Sequence, residues 1–155
     1  MSTLFVDNLQ PHLETSINVP GHITNVVQGS QGTSISLGST SWTATGLTAS
    51  ITTQTGNSKV LIVANMVACR KSTDNTLSFR LYRDGSNIVT LNQGLFDTGT
   101  SVQHTDSVSH MYLDTLNSQG TFDYEIWWKG ANTGTISMNV GDWGLSTITL
   151  MEIGG

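Results

Sequence analysis

The residues best equipped for chemistry sit in the stretch "HTDSVSH", His104 to His110. Two imidazoles and a carboxylate are donors that zinc accepts. An unbroken strand would put His104, Asp106 and His110 on one face, because side chains alternate with period two. That face would also carry Val108, an apolar residue between the would-be ligands Asp106 and His110. Zinc sites have three or four well-placed ligands, so this spacing favours a loop bearing surface histidines. No metal and no other cofactor is expected.

A hydrolase needs a positioned nucleophile, a base and oxyanion donors. Ser and Thr abound, but the chain has no Gly-x-Ser-x-Gly elbow and no Gly-rich loop ending in Gly-Lys-Ser/Thr. Asp123 and Glu125 alternate on one strand face, where a glycosidase pair could be imagined, yet two acids on a solvated strand are ordinary surface. Cys69, on a strand of apolar neighbours, reads as a small buried hydrophobe. Catalysis is not expected. Trp127, Trp143 and Tyr112, flanked by Asn and Asp, are the residue types of a glycan site: apolar ring faces with directional hydrogen bonds nearby. Trp and Tyr are equally at home in subunit interfaces, so both uses stay open.

The elements that must position these residues follow from composition and period. A length of 155 residues suits one domain, and the lone Cys69 excludes an internal disulfide. Met1-Ser2-Thr3-Leu4 starts no basic-then-apolar leader, so synthesis in a cytoplasm is expected. No apolar run reaches the ~18 residues of a membrane span, so membrane insertion is not expected. Six Lys or Arg stand against eleven Asp or Glu, for a net charge of −5. The cations are scattered, whereas nucleic-acid binders cluster them to displace counterions; no nucleic-acid partner is expected. Charged residues make up 11% of the chain, against ~25% in ordinary soluble domains. Ser, Thr, Asn and Gly fill the gap.

The dominant period is two, the signature of strands. "SWTATGLTASIT" places Trp42 and Ala44, then Leu47, Ala49 and Ile51, between small polar residues. Lys59 to Arg70 follows, then the hairpin "LSFRLYRDGSNIVTL", whose Asp84-Gly85 supplies a tight turn. Further strands are expected over Val108 to Asp114, Thr121 to Lys129, Thr135 to Val140 and Ser146 to Ile153. About eight strands without a helical stripe predict an all-β fold: a jelly-roll-like antiparallel sandwich over residues 34–155. Residues 1–33, broken at Pro20-Gly21, read as an extended N-terminal arm.

Two strands hold a surplus of apolar residues. In Lys59–Arg70, Val60, Ile62, Ala64, Met66 and Ala68 alternate with Leu61, Val63, Asn65, Val67 and Cys69. A monomeric sandwich strand normally has one wet face; here both are apolar, so either the arm or a neighbouring subunit must cover the outer side, and Leu61, Val63 and Val67 are expected at a subunit interface. Adjacent Trp127 and Trp128 cannot both be core, and Trp127 is assigned to the same kind of interface. In the arm, Leu4, Val6, Leu9, Ile17, Val19, Ile23, Val26 and Val27 are apolar points on a polar ribbon. With Pro20 fixing φ and Gly21 permitting a redirection, the ribbon suits docking onto a partner's sheet edge; the alternative is an edge strand packed on its own domain.

The opening "VDNLQPHLETSINVPGHITNVVQ" resembles a segment of tailed-bacteriophage structural proteins, in which an extended stretch ending in Pro-Gly-His precedes a β-module. "SWTATGLTASITTQTGNSKVLIVANM", "LSFRLYRDGSNIV" and "STITLMEI" are similar to successive parts of those modules. Their order covers most of the chain, although Thr53 stands where a Pro is usual. The resemblance implies a homotrimeric jelly-roll-like head on tail fibres or on the capsid surface. No shaft segment precedes the module, which turns the expectation towards a capsid decoration or cement protein of the virion. Its partners would be further copies and a major capsid or tail protein. The alternative is a short fibre tip that recognises host surface glycans.

Overall fold

A computed structural model describes residues 21–72, 74–97, 99 and 102–155. They form ten strands: β1 Ile23–Gln31, β2 Ile35–Leu37, β3 Thr43–Thr52, β4 Lys59–Lys71, β5 Leu77–Arg83, β6 Ser86–Leu95, β7 His104–Thr115, β8 Thr121–Gly130, β9 Ile136–Met138 and β10 Ser146–Ile153. The antiparallel pairs nest: β1 with β10, β2 with β9, β3 with β8, β4 with β7, and β5 with β6. The chain is thus one long hairpin whose tip is the Asp84-Gly85 turn, rolled until β10 meets β4 and β5 meets β8. That is the jelly roll expected from the strand pattern. One sheet runs β1-β10-β4-β7, with β9 and β2 continuing beyond the end of β10; the other runs β3-β8-β5-β6.

Both local signals behind this roll hold. Asp84 and Gly85 have φ of 50° and 75°, the left-handed pair that a two-residue hairpin turn needs. Burial alternates along β3, where Thr45, Leu47, Ala49 and Ile51 point inward, and along β8, where Tyr124, Ile126 and Trp128 do. These residues meet Val60, Ile62, Met66, Ile148 and Leu150 of the other sheet in one core. Each large side chain so buried contributes about 1.5–3 kcal/mol. A polar clamp crosses the core. Asp114 of β7 accepts hydrogen bonds from the Arg83 guanidinium at 2.5 Å and the Tyr124 hydroxyl at 2.8 Å. Burial works against the Arg83 charge, but the Asp114 carboxylate outweighs it and raises the Arg83 pKa. Burial and the bond to Asp114 likewise raise the Tyr124 phenol above its ordinary value.

Three expectations are corrected. First, residues 23–31 of the supposed arm are β1, an edge strand of the sandwich itself, so the boundary at residue 34 does not hold. Gly21 donates to the Gly154 carbonyl at 2.8 Å, and Gly154 returns a bond to His22 at 2.9 Å. Gly29 sits so close to β3 that a Cβ there would stand 1.8 Å from the Thr48 carbonyl oxygen. Second, a bulge breaks the alternation of β4 between Met66 and Cys69, with Ala68 at φ 47°. Cys69 therefore turns into the core instead of continuing the outer face of Leu61 and Val63. Burial, then the Asp106 charge, pushes its thiol up to about 12. Third, His104, Asp106 and His110 lie on β7, not in a loop.

Candidate binding surfaces

The outer face of β1-β10-β4-β7 is ordered in rows that run across all four strands. One row reads Val26, Met151, Leu61, Leu113. The next reads Gln28, Thr149, Val63, Met111, and the third Ser30, Thr147, Asn65, Ser109. Polarity is graded along them. In the third row Asn65 bonds Thr147 at 3.4 Å and accepts from the Ser109 hydroxyl at 2.5 Å. In the second, the Gln28 amide donates to Thr149 at 2.9 Å, while Val63 and Met111 offer only apolar side chains. The first row is wholly apolar and spans about 14 Å at the usual strand spacing. Met111 is 73% exposed, Val26 56% and Leu113 45%.

This face exists because β7 is inverted. Its inward residues are His110, Tyr112 and Asp114, and its outward ones are Met111 and Leu113. A one-residue slip would exchange the two sets. The clamp from Asp114 to Arg83 and Tyr124 prevents it by anchoring the carboxylate inside. The inversion has a cost: the His110 Nε2 is buried without a hydrogen-bond partner, and burial lowers the imidazole pKa.

The outer face of the other sheet is of a different kind. Trp127 stacks on Tyr82 with centroids 4.4 Å apart, and its indole N–H donates to Glu125 at 2.7 Å. Across the strands lie Ala44, Trp127, Arg80 and Thr90 in one row. Burial alternates without a break from Thr45 to Ile51, so even-numbered Ala44 and Trp42 fall on this outer face, opposite the inward series of Leu47, Ala49 and Ile51. The Arg80 guanidinium lies 4.2 Å from the Trp42 ring centroid and the Lys129 ammonium 5.1 Å from it. Arg80 Nε donates to Thr90 at 3.1 Å.

The expected site residues are distributed accordingly. Leu4, Val6, Leu9, Ile17, Val19 and Pro20 lie outside the described residues. Ile23 and Val26 are exposed on β1, whereas Val27 packs against the core. Leu61 and Val63 share the apolar face; Val67 lies further along and is overlaid by Gly144. Trp127 lies on the outer face of the opposite sheet, away from those three. Trp143, 71% exposed, follows a short 3-10 turn at Val140–Asp142. Tyr112 packs inward against the core, and the suggested glycan trio of Trp127, Trp143 and Tyr112 is not brought together. Asp123 accepts from Ser50, and Glu125 holds Trp127. Among the described residues no three His, Cys, Asp or Glu side chains converge as metal ligands would.

Sequence reasoning missed Met111, Leu113 and Met151 on one face and Trp42, Tyr82, Arg80 and Lys129 on the other. Met111 and Leu113 were readable as one half of an alternation whose other half is His, Tyr and Asp. The inversion of that strand was not.

No protein-family model matches the chain, and no curated protein sequence does. Several solved structures resemble it in fold. A dimeric latent PorU from Porphyromonas gingivalis is 11% identical with a TM-score of 0.48; the match covers 92% of this chain and 14% of that one. An infectious bursal disease virus VP2 subviral particle is 10% identical at a TM-score of 0.45, covering 98% of this chain and 42% of that one. A family 35 carbohydrate-binding module from Paenibacillus barcinonensis is 9% identical at 0.35, covering 81% and 97%. The chain therefore spans about a seventh of the PorU chain and about two fifths of the VP2 chain. At these identities and scores the likenesses carry no argument about function.

Proposed function

We propose that the chain is a noncatalytic structural protein of a bacteriophage particle, of the capsid decoration or cement type. Copies associate as a homotrimer through the outer face of β1-β10-β4-β7. Residues 1–20, with Leu4, Val6, Leu9, Ile17 and Val19, attach the assembly to a major capsid or tail protein on the virion surface. The observation that carries this reading is the inverted β7. A strand that turns Met111 and Leu113 outward while burying His110 and Asp114 costs a lone molecule stability, and association offsets that cost by taking the apolar row out of water. Mechanically, each such contact ties neighbouring subunits together against the pressure of packaged DNA. Removing residues 1–20 tests the attachment, because the truncation stops before the first bond of Gly21. The truncated protein should stay folded and oligomeric but no longer bind particles; retained binding would refute the assignment.

A second reading, a short fibre tip that recognises host surface glycans, is supported by the aromatic and cationic platform on the opposite sheet. Copy number in purified virions separates the two. Stoichiometry close to that of the capsid subunits supports decoration, and stoichiometry close to that of tail fibres supports the tip.

A further inference from the structure

In this acidic chain Arg83 forms an ion pair with Asp114. Arg80 and Lys129 stand apart from it. They meet over the same indole, Trp42, with no carboxylate partner for either. Thr90 accepts from the Arg80 Nε, which leaves the paired terminal nitrogens of the guanidinium without a protein acceptor. That edge presents two parallel N–H donors, the geometry that receives a carboxylate. Beside it, half-buried Trp42, Trp127 and Tyr82 supply apolar ring surface, and Glu125 supplies an oxygen acceptor next to the Trp127 N–H. Small neighbours, Ala44 and Gly46, keep the rings in relief. Two uncompensated cations on an aromatic floor suit a ligand that joins a negative group to a ring with apolar C–H faces.

We propose that this platform binds an acidic saccharide, its carboxylate held by Arg80 with Lys129 in support and its pyranose ring lying on the neighbouring aromatics. The inference rests on the glycan reading above and narrows it to carboxylate-bearing sugars. It is also compatible with decoration, because the platform and the apolar row lie on opposite sheets.

Titration calorimetry of the full chain with 3′-sialyllactose and tri-galacturonic acid, against lactose and galactotriose, tests it. The acidic sugars should bind at least ten times more tightly than their neutral counterparts, and the difference should shrink as NaCl is raised. Arg80→Lys keeps the charge but loses the paired donors, so it should weaken acidic-sugar binding about tenfold. Lys129→Gln, at a more peripheral position, should weaken it less, with unchanged near-ultraviolet circular dichroism in both variants. Equal binding of neutral and acidic sugars would overturn the proposed ligand class and leave the glycan reading standing. Absence of binding to all four at millimolar concentration would overturn both. Full affinity in Arg80→Lys and Lys129→Gln would overturn the site.

Discussion

The two outer faces of the sandwich come from the same period-two strands, yet they leave different things uncovered. On β1-β10-β4-β7 an unbroken apolar row faces out, and its polar neighbours bond one another sideways. On β3-β8-β5-β6 the half-buried aromatics of the outer face are already stacked, hydrogen-bonded or capped by cations. The first face has spent its polar groups on itself and has only apolar area to offer, which suits a broad, flat protein partner. The second keeps directional donors unspent, which suits a small polar ligand. The physical difference is whether hydrogen-bonding capacity remains after folding.

The largest blow to this contrast is Asp114→Ala. It strands the Arg83 guanidinium and the Tyr124 hydroxyl, and should cost about 3–5 kcal/mol in urea denaturation. Both faces should fail together, because the register of β7 and the union of the sheets depend on the same carboxylate. Gly29→Ala should act more selectively. Its methyl group would collide with the Thr48 carbonyl, costing about 1–3 kcal/mol and shifting β1 off its bed. Association should weaken as Val26 leaves the row, while binding at the Trp42 and Arg80 platform persists. Loss of both in Gly29→Ala would show that the faces are not independent.

A pH effect should reach the apolar side first. Burial holds the His110 imidazole below its ordinary value of 6.5, so the unfolded chain takes up that proton at higher pH than the native one. As pH falls through 6.5 the unfolded state binds more protons, and stability declines with acidification; above 6.5 this contribution is level. His110→Gln should flatten that slope in thermal melts at pH 5 to 7.5. The smallest effect expected is at Cys69. With its thiol pushed up to about 12 and the side chain buried, it should resist a thiol reagent at pH 8 until the protein unfolds.

Much of the roll was legible in the residues. Strict alternation on β3 and β8, the Asp84-Gly85 turn and the both-sided apolar pattern of β4 all report local geometry. What was hidden depends on tertiary context. β1 looked like an arm because an edge strand with alternating Asn, Gln and Ser carries little apolar signal, and its place is fixed by Gly29 fitting against a strand distant in sequence. Cys69 changed faces through a bulge at Ala68, a residue with no reputation for positive φ. Arg80, Lys129 and Trp42 are far apart in the chain and converge only because β8 lies between β3 and β5. Composition can count such residues but cannot assemble them.

The inverted strand can be interrogated most directly by light scattering of the full chain beside the double variant Met111→Lys, Leu113→Lys. Both positions face outward, so the variant should fold with stability within about 1 kcal/mol of the parent. The parent should scatter as three times the 16.6 kDa chain mass and the variant as a single chain. A parent that remains a clean monomer at high concentration, or a variant that associates as well as the parent, would contradict assembly through this face.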